Sequence, residues 1–275
     1  MSGIGTVAVA GLGLIGGSAA RDLAAAGVRV LGWDRDPASV DAALADGVIV
    51  AALGPELQGV EVADVFLIAV PVGAAAQVLE AAVPRLGGAR LVTDTGSTKA
   101  SIIAAAVRLG IGECFVGSHP FTGDHRSGWS ASRGGLFGAA PVYLCPTPQS
   151  SSAATSLARE LWTLLGAVPI EIDAGEHDRR LAWTSHLPQV VSSALMQVLA
   201  DHGFAREDLG PGGRDMTRLA GSSAALWADI LRDNRANVSA TLAAFEQEVA
   251  RVRLRLDYGG SAVPPVSVST RPFKG

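Results

Sequence analysis

The sequence predicts an α/β fold, a doubly wound parallel sheet followed by an all-helical domain, and three observations lead to it. Short β-branched or apolar runs alternate with Ala/Leu-rich helical stretches over residues 6–172. The first of those runs ends in a glycine-rich turn that opens a helix. From residue 174 to 256 the strand signal disappears and apolar residues recur at helical spacing. Alternating strands and helices bury both faces of a parallel sheet, whereas a run of helices builds a separate layer.

The expected strands, in order, are Val7-Ala8-Val9-Ala10, Val28-Arg29-Val30-Leu31, the run from Val65 to Val70, the run from Arg90 to Thr93, Phe115-Val116, and Val142-Tyr143-Leu144. Glycine and proline separate them from the intervening helices, as turn residues do. This places a dinucleotide-binding type of domain over residues 1–172. A helical domain is expected over 173–256, where Leu187, Val190, Val191, Ala194, Leu195 and Val198 form an i, i+3, i+4, i+7, i+8 stripe. Residues 257–275 are rich in Gly, Pro, Ser and Thr without a period and read as a disordered tail.

The 275 residues are 48% apolar and 17% charged, which excludes a disordered chain and supports a large core. A formal net charge of −4 offers no electrostatic footprint for nucleic acid or an anionic membrane, so small molecules are the expected partners. Cys114 and Cys145 form no CxxC pair and have no clustered histidines beside them, so no metal site is expected. They read as buried thiols of a cytosolic protein. The apolar stretch 4–20 lacks a basic leading region and is broken by Gly11, Gly13, Gly16 and Gly17, so it fits neither an export signal nor a membrane span of ~20 residues. A cytoplasmic location follows as an expectation.

Gly11-Leu12-Gly13-Leu14-Ile15-Gly16 follows the first strand and starts a helix. In such a turn the first glycine permits the tight bend, the second lets backbone approach a pyrophosphate, and the third lets helix pack on strand; the helix N-terminus then attracts the phosphates. A Gly-rich turn alone also occurs without any cofactor, but Asp34 ends the second run about twenty residues on, where a carboxylate bonds a ribose 2′-hydroxyl. The Rossmann-like reading assigns Gly11, Gly13, Leu14, Ile15, Gly16, Asp34 and Arg35 to the cofactor, with Val70 and Pro71 at the end of the third run. Asp34 favours NAD, because it repels a 2′-phosphate; Arg35 leaves NADP open.

Two further motifs fall at the carboxyl edge of the expected sheet, where open α/β folds bind ligands. In Thr93-Asp94-Thr95-Gly96-Ser97-Thr98-Lys99, Ser97 reads either as a helix N-cap or as a substrate ligand, and Lys99 as a helix-face charge or a ligand. In Phe115-Val116-Gly117-Ser118-His119-Pro120, the histidine is expected just past a strand, on the same edge as Ser97.

These strings, with Gly123, Ser127-Gly128, Ser185-His186-Leu187-Pro188 and Gly213-Arg214-Asp215-Met216-Thr217-Arg218, stand in the order found in prephenate and arogenate dehydrogenases, and the chain resembles that family over residues 7–256. The resemblance implies an NAD-dependent oxidative decarboxylation of a cyclohexadienol in tyrosine biosynthesis. It implies that His119 accepts the hydroxyl proton, that Ser97 orients the same hydroxyl, and that Arg218 clamps the ring carboxylate with a guanidinium fork. Asp215, three residues earlier, is expected to orient Arg218 from the same helix face. Trp227 matches an aromatic that closes the site, and His186, Gln189, His125 and Lys99 are assigned to substrate.

The chain departs from the pattern at Gln189, where many prephenate-type members carry His, and at His125, where several carry an acidic residue. Asp124 suits the ammonium of arogenate; His125 and Arg126 suit a carboxylate. The residues therefore leave prephenate, arogenate and amino-deoxyprephenate all open. A β-hydroxyacid dehydrogenase fits poorly, because catalysis there rests on a lysine of the helical domain and the only lysines here are Lys99 and Lys274. A non-catalytic dinucleotide sensor would not need His119, Ser97 and Arg218 together. Apolar helices such as 181–199 need more burial than a domain of about eighty residues supplies, so a homodimer through the helical domain is expected.

Overall fold

The structure, a computed structural model, describes residues 3–123 and 126–258. Asp124, His125 and the expected tail from 259 onward lie outside the described residues. Two compact units emerge: one draws on residues up to Asp178 together with Ser222–Asp233, the other on Arg179–Gly221 and residues from Asn234 onward.

In the first unit the elements are β1 (Thr6–Ala10), α1 (Leu14–Ala25), β2 (Arg29–Trp33), α2 (Pro37–Ala45), β3 (Ala51–Ala52), β4 (Val65–Ile68), α3 (Val72–Ala82), β5 (Leu91–Asp94), α4 (Ala100–Arg108), β6 (Val116–Pro120), β7 (Pro141–Pro146), α5 (Ser152–Leu164) and β8 (Val168–Glu171). Five strands form a parallel sheet in the order β3-β2-β1-β4-β5. The strands obey a period of two. Val7, Val9, Val65 and Leu67 face a core with Leu23, Leu161 and Trp162, whereas Ala8, Ala10, Phe66 and Ile68 face one with Leu79, Ile102 and Ala106. Burying a side chain such as Phe66 fully contributes about 1.5–3 kcal/mol, so double coverage is what makes a near-continuous apolar strand stable.

The remaining strands join in the order β6-β7-β8, and a parallel bridge from Val92 to Phe115 sets β6 beside β5. The expectation of an all-parallel sheet is corrected here, because β7 runs antiparallel to β6. Among the described residues between them there is one short 3₁₀ turn and no α-helix. A parallel return needs a crossover of a dozen or more residues, usually helical, and none is encoded there. His119 also sits within β6 and pairs with Tyr143 of β7, rather than just past the strand. Local caps follow the sequence: Asp36 Oδ1 accepts from Ala38 N–H ahead of Pro37 in α2, and Ser151 Oγ accepts from Ala154 N–H in α5.

Residues 174–258 form α6 (Ala174–Leu181), α7 (Leu187–Asp201), α8 (Pro211–Met216), α9 (Ala224–Asp233) and α10 (Arg235–Asp257), with no strand among the described residues. A π-turn at Ala182–His186 joins α6 to α7. Helix α9 packs on α3 and counts with the first unit. No helix among the described residues is long and apolar enough to cross a membrane. Cys145 is buried and Cys114 half-buried, and both are free thiols; burial pushes Cys145 up to about 12.

Candidate active site

The glycine turn folds as its spacing demands. Gly11 has φ +97°, a left-handed conformation, and a Cβ there would overlap the carbonyl oxygen of Ala69. A Cβ on Gly16 would overlap the carbonyl oxygen of Gly11, so only glycine lets α1 rise this close to the strand. A Cβ on Gly13 would meet nothing within 4 Å. Gly13 is the N-cap of α1, no side chain caps it, and the first turn holds no acidic residue. The first N–H groups of a helix lack intrahelical partners and carry the positive end of its dipole. An open, uncapped, glycine-lined helix N-terminus fits a pyrophosphate. Val70 lies beside Gly11, its Cγ1 3.1 Å from where a Cβ would stand, and Pro71 is the N-cap of α3.

Asp34 closes the turn from the other side. Its Oδ2 accepts from Leu12 N–H at 2.6 Å and its Oδ1 from Asp36 N–H at 2.9 Å. A carboxylate offers about four lone-pair positions, so this tether leaves capacity for a ribose hydroxyl. Arg35 is exposed, and its guanidinium makes no hydrogen bond among the described residues. The residues present thus fit a dinucleotide.

At the carboxyl ends of β5 and β6 the chain builds a buried polar core. Lys99 is fully buried; its ammonium is ion-paired with Asp94 and donates to the Ser118 carbonyl at 2.8 Å. Asp94 also accepts from Gly96 N–H (2.8 Å) and Ser118 N–H (3.1 Å), and Gly117 leaves room for the aliphatic stem of Lys99. The expectation that Lys99 binds substrate is corrected: its charge is spent inside the fold. Removing one member of such a pair leaves an uncompensated buried charge, worth about 3–5 kcal/mol. Trp162 Nε1 donates to Ser118 Oγ at 2.9 Å, and that hydroxyl shares a 2.7 Å bond with Thr93 Oγ1, locking β6 against β5 and α5. Ser97, in the loop after β5, is half-buried and makes no hydrogen bond among the described residues.

His119 is 7% exposed, flanked by Phe121, Tyr143 and His177 with ring centroids at 6.0, 6.4 and 5.1 Å. Its Nδ1 lies 2.9 Å from His177 Nε2. His177 Nδ1 in turn lies 2.8 Å from Asp178 Oδ1. Asp178 also accepts from Lys99 N–H and Ala100 N–H, each at 2.9 Å, at the N-terminus of α4. Burial raises the Asp178 carboxyl, but the bonds from His177, Ala100 and Lys99 outweigh it and hold it below the ordinary carboxylate value. Burial holds the His177 imidazole below its ordinary value, against the opposing bond to Asp178. Neither His177 nor Asp178 stood out in the sequence. The signal was there only as a His-Asp pair one turn into α6, the helix that follows β8.

The other expected ligands divide between the units. Trp227 lies on α9, half-buried, in the first. His186 and Gln189 lie in the second and share its buried side at 1% and 4% exposure, as a spacing of three predicts. Asn234 Nδ2 is 3.1 Å from His186 Nδ1. Gln189 Nε2 donates to the Leu219 carbonyl at 2.9 Å and to Ser193 Oγ at 3.2 Å. Arg218 opens a 3₁₀ turn, Arg218–Gly221, and is exposed. It has no ion pair among the described residues, so the expected partnership with Asp215 is corrected: α8 ends at Met216, and the two no longer share a helix face.

Two family models match the chain: "Prephenate dehydrogenase, nucleotide-binding domain" over residues 19–171 and "Prephenate dehydrogenase, dimerization domain" over residues 173–259. A prephenate dehydrogenase of Bacillus subtilis is 32% identical over 256 residues, 90% of this chain and 69% of that protein. Among solved structures, the prephenate dehydrogenase of A. aeolicus in complex with hydroxyphenyl propionate and NAD+ matches with TM-score 0.85 and 29% identity, over 93% of this chain and 91% of that one. A Synechocystis arogenate dehydrogenase matches with TM-score 0.80 and 28% identity, over 92% of each chain.

Proposed function

The chain belongs to the prephenate dehydrogenase family, and from that premise we propose that it converts prephenate to 4-hydroxyphenylpyruvate and carbon dioxide with NAD, a step of tyrosine biosynthesis. The observation that carries this reading is the match of both halves of the chain to the family, joined to an open glycine-lined helix N-terminus and a buried histidine at the sheet edge. NAD, when bound, supplies the acceptor for the hydride of the carbinol carbon. Gly11, Gly13, Leu14, Ile15 and Gly16 would hold its pyrophosphate, Asp34 the ribose, and Val70 and Pro71 the far wall of the turn.

The protein's own part is proton handling and positioning. We assign His119 as the group that takes the hydroxyl proton as the carbinol is oxidised, with Ser97 hydrogen-bonded to the same oxygen. The bond to the ring carboxylate then breaks, its electron pair enters the ring, and carbon dioxide leaves. The proton returns to the ring oxygen, which ends as a phenol. Arg218 is assigned to the ring carboxylate, and His186, Gln189 and Trp227 to the rest of the substrate.

Steady-state turnover measured with NAD and NADP against prephenate and arogenate tests this. We expect prephenate with NAD to be the efficient pair. Faster turnover of arogenate would move the assignment to the amino substrate. Asp34→Ala should narrow the NAD over NADP ratio of kcat/KM; the ratio is the readout because the lost tether to Leu12 weakens both cofactors alike. Equal efficiency with both cofactors in the unaltered protein would show that Arg35 dominates instead.

We also propose a homodimer formed through the helical unit. Helix α7 buries Gln189 and Ser192, while its apolar stripe is only half-buried at Leu187, Val190, Val191 and Leu195 and exposed at Val198 (55%). On α10, Val249 and Leu256 are 50% and 62% exposed. Contiguous apolar helix surface of this kind marks a protein contact, and a second copy is the partner that the matched dimerization domain suggests. Light scattering should give twice the 28.0 kDa chain mass. A monomer at micromolar concentration contradicts it.

A further inference from the structure

We propose that His177 and Asp178 are positioning residues that fix the tautomer of His119, so that its Nε2 carries the lone pair that takes the substrate proton. The proposal rests on the assignment of His119 as base and adds to it the two groups behind that base.

Asp178 accepts the N–H groups of Lys99 and Ala100, at the positive end of α4, and a third bond at Oδ1 from His177. A carboxylate so placed is ionised and can only accept, so His177 Nδ1 must carry the proton of that bond. Burial keeps His177 neutral, so its Nε2 is then a lone pair. That lone pair lies 2.9 Å from His119 Nδ1, which must therefore be the donor. A neutral His119 with its proton on Nδ1 has its lone pair on Nε2. When Nε2 takes the substrate's proton, the imidazolium keeps its Nδ1–H bond, and the charge is shared toward Asp178, which stays ionised throughout.

With a neutral His177, both ring-nitrogen bonds are made only when His119 carries a proton on Nδ1, so the relay disfavours the competing form whose single proton sits on Nε2. In that form the basic nitrogen faces the interior, and a correctly placed ring is inert. The tautomer is therefore a separate quantity from the position of the ring, and it is measurable.

The test is nitrogen-15 NMR of the histidine side chains in the intact protein, combined with His177→Leu and His177→Gln. In the unaltered protein His119 should show a protonated Nδ1 and an unprotonated Nε2. Leucine removes the acceptor, so kcat should fall about 10- to 100-fold, less than the loss of the base itself, with KM for NAD held within about twofold. Glutamine places Oε1 near the position of Nε2 and should recover most of that loss. Equal impairment in the Leu and Gln variants would mean a packing role and overturn the proposal, as would an Nε2–H tautomer of His119 in the unaltered protein. The spectrum needs no variant, so it decides even where His177→Leu fails to fold. It also separates the two readings: turnover surviving in His119→Asn sinks the base, whereas the wrong tautomer sinks only the relay.

Discussion

Replacing His119 with asparagine is expected to lower kcat by about 10²-fold or more, the usual size of a lost general base, while the fold and the affinity for NAD persist. The expectation rests on where the side chain sits. His119 is in β6, nearly buried, with Nδ1 toward His177 and rings of Phe121 and Tyr143 around it. Asparagine is shorter, but its amide nitrogen approximates Nδ1 and still donates to His177, so the buried bond is retained and only the outer nitrogen is lost. The glycine turn is a separate structure built from β1, α1 and β4, and nothing in the substitution touches it. Turnover measured from pH 6 to 9, with a thermal melt as the control for folding, checks the assignment. Near-native turnover across that range would remove His119 from the chemistry.

Arg218→Ala is expected to raise KM for substrate by about 30-fold or more. A charge-assisted pairing with a carboxylate, partly withdrawn from water, costs about 2–5 kcal/mol to lose, and each 1.4 kcal/mol is about tenfold. Arg218 is exposed and makes no ion pair among the described residues. Were Arg218 committed to a surface pair with Asp215, its loss would cost about 0–1 kcal/mol; no such pair exists among the described residues. Arg218→Lys should rescue only in part, because an ammonium lacks the planar two-point fork. The affinity for NAD should barely change. Arg214, exposed on α8, is the competing cation. A large binding loss in Arg214→Ala with none in Arg218→Ala would show that the clamp belongs four residues earlier.

Much of the fold was legible because it is written in local pattern. The glycine turn declares itself by spacing, and the strands of the parallel sheet stand out as apolar runs bounded by turn residues. The shortest and most polar pieces were not legible. β3 has two residues, β8 begins Val168-Pro169, and the end of β6 is Ser118-His119-Pro120, whose histidine reads as lying just past the strand although it is paired and buried. The direction of β7 was lost for a related reason. It depends on the absence of a crossover helix among the described residues between 120 and 141, and an absence is weaker evidence than a motif.

The position of a side chain was legible where one motif fixes it, as with Asp34 against the glycine turn, and illegible where it depends on a distant partner. Lys99 read as a ligand because its pairing with Asp94 and the Ser118 carbonyl is made by the fold of the loop after β5. His177 and Asp178 sit in a helix of otherwise ordinary polar character, and only the return of the chain through β8 brings them against a histidine fifty-eight residues earlier. Gln189 and Ser192 are the buried residues of α7 beside a half-buried apolar stripe, and the apolar period gave no warning of it.

The stoichiometry of the reaction itself tests the proposed activity. Prephenate and NAD are incubated with the protein, and reduced nicotinamide is followed by absorbance while carbon dioxide is trapped and counted. Oxidation coupled to decarboxylation predicts that the two products appear together in equal amounts, with 4-hydroxyphenylpyruvate as the organic product, and that both disappear in His119→Asn. Absence of reduced nicotinamide with prephenate and with arogenate alike, or carbon dioxide released without it, would contradict the account.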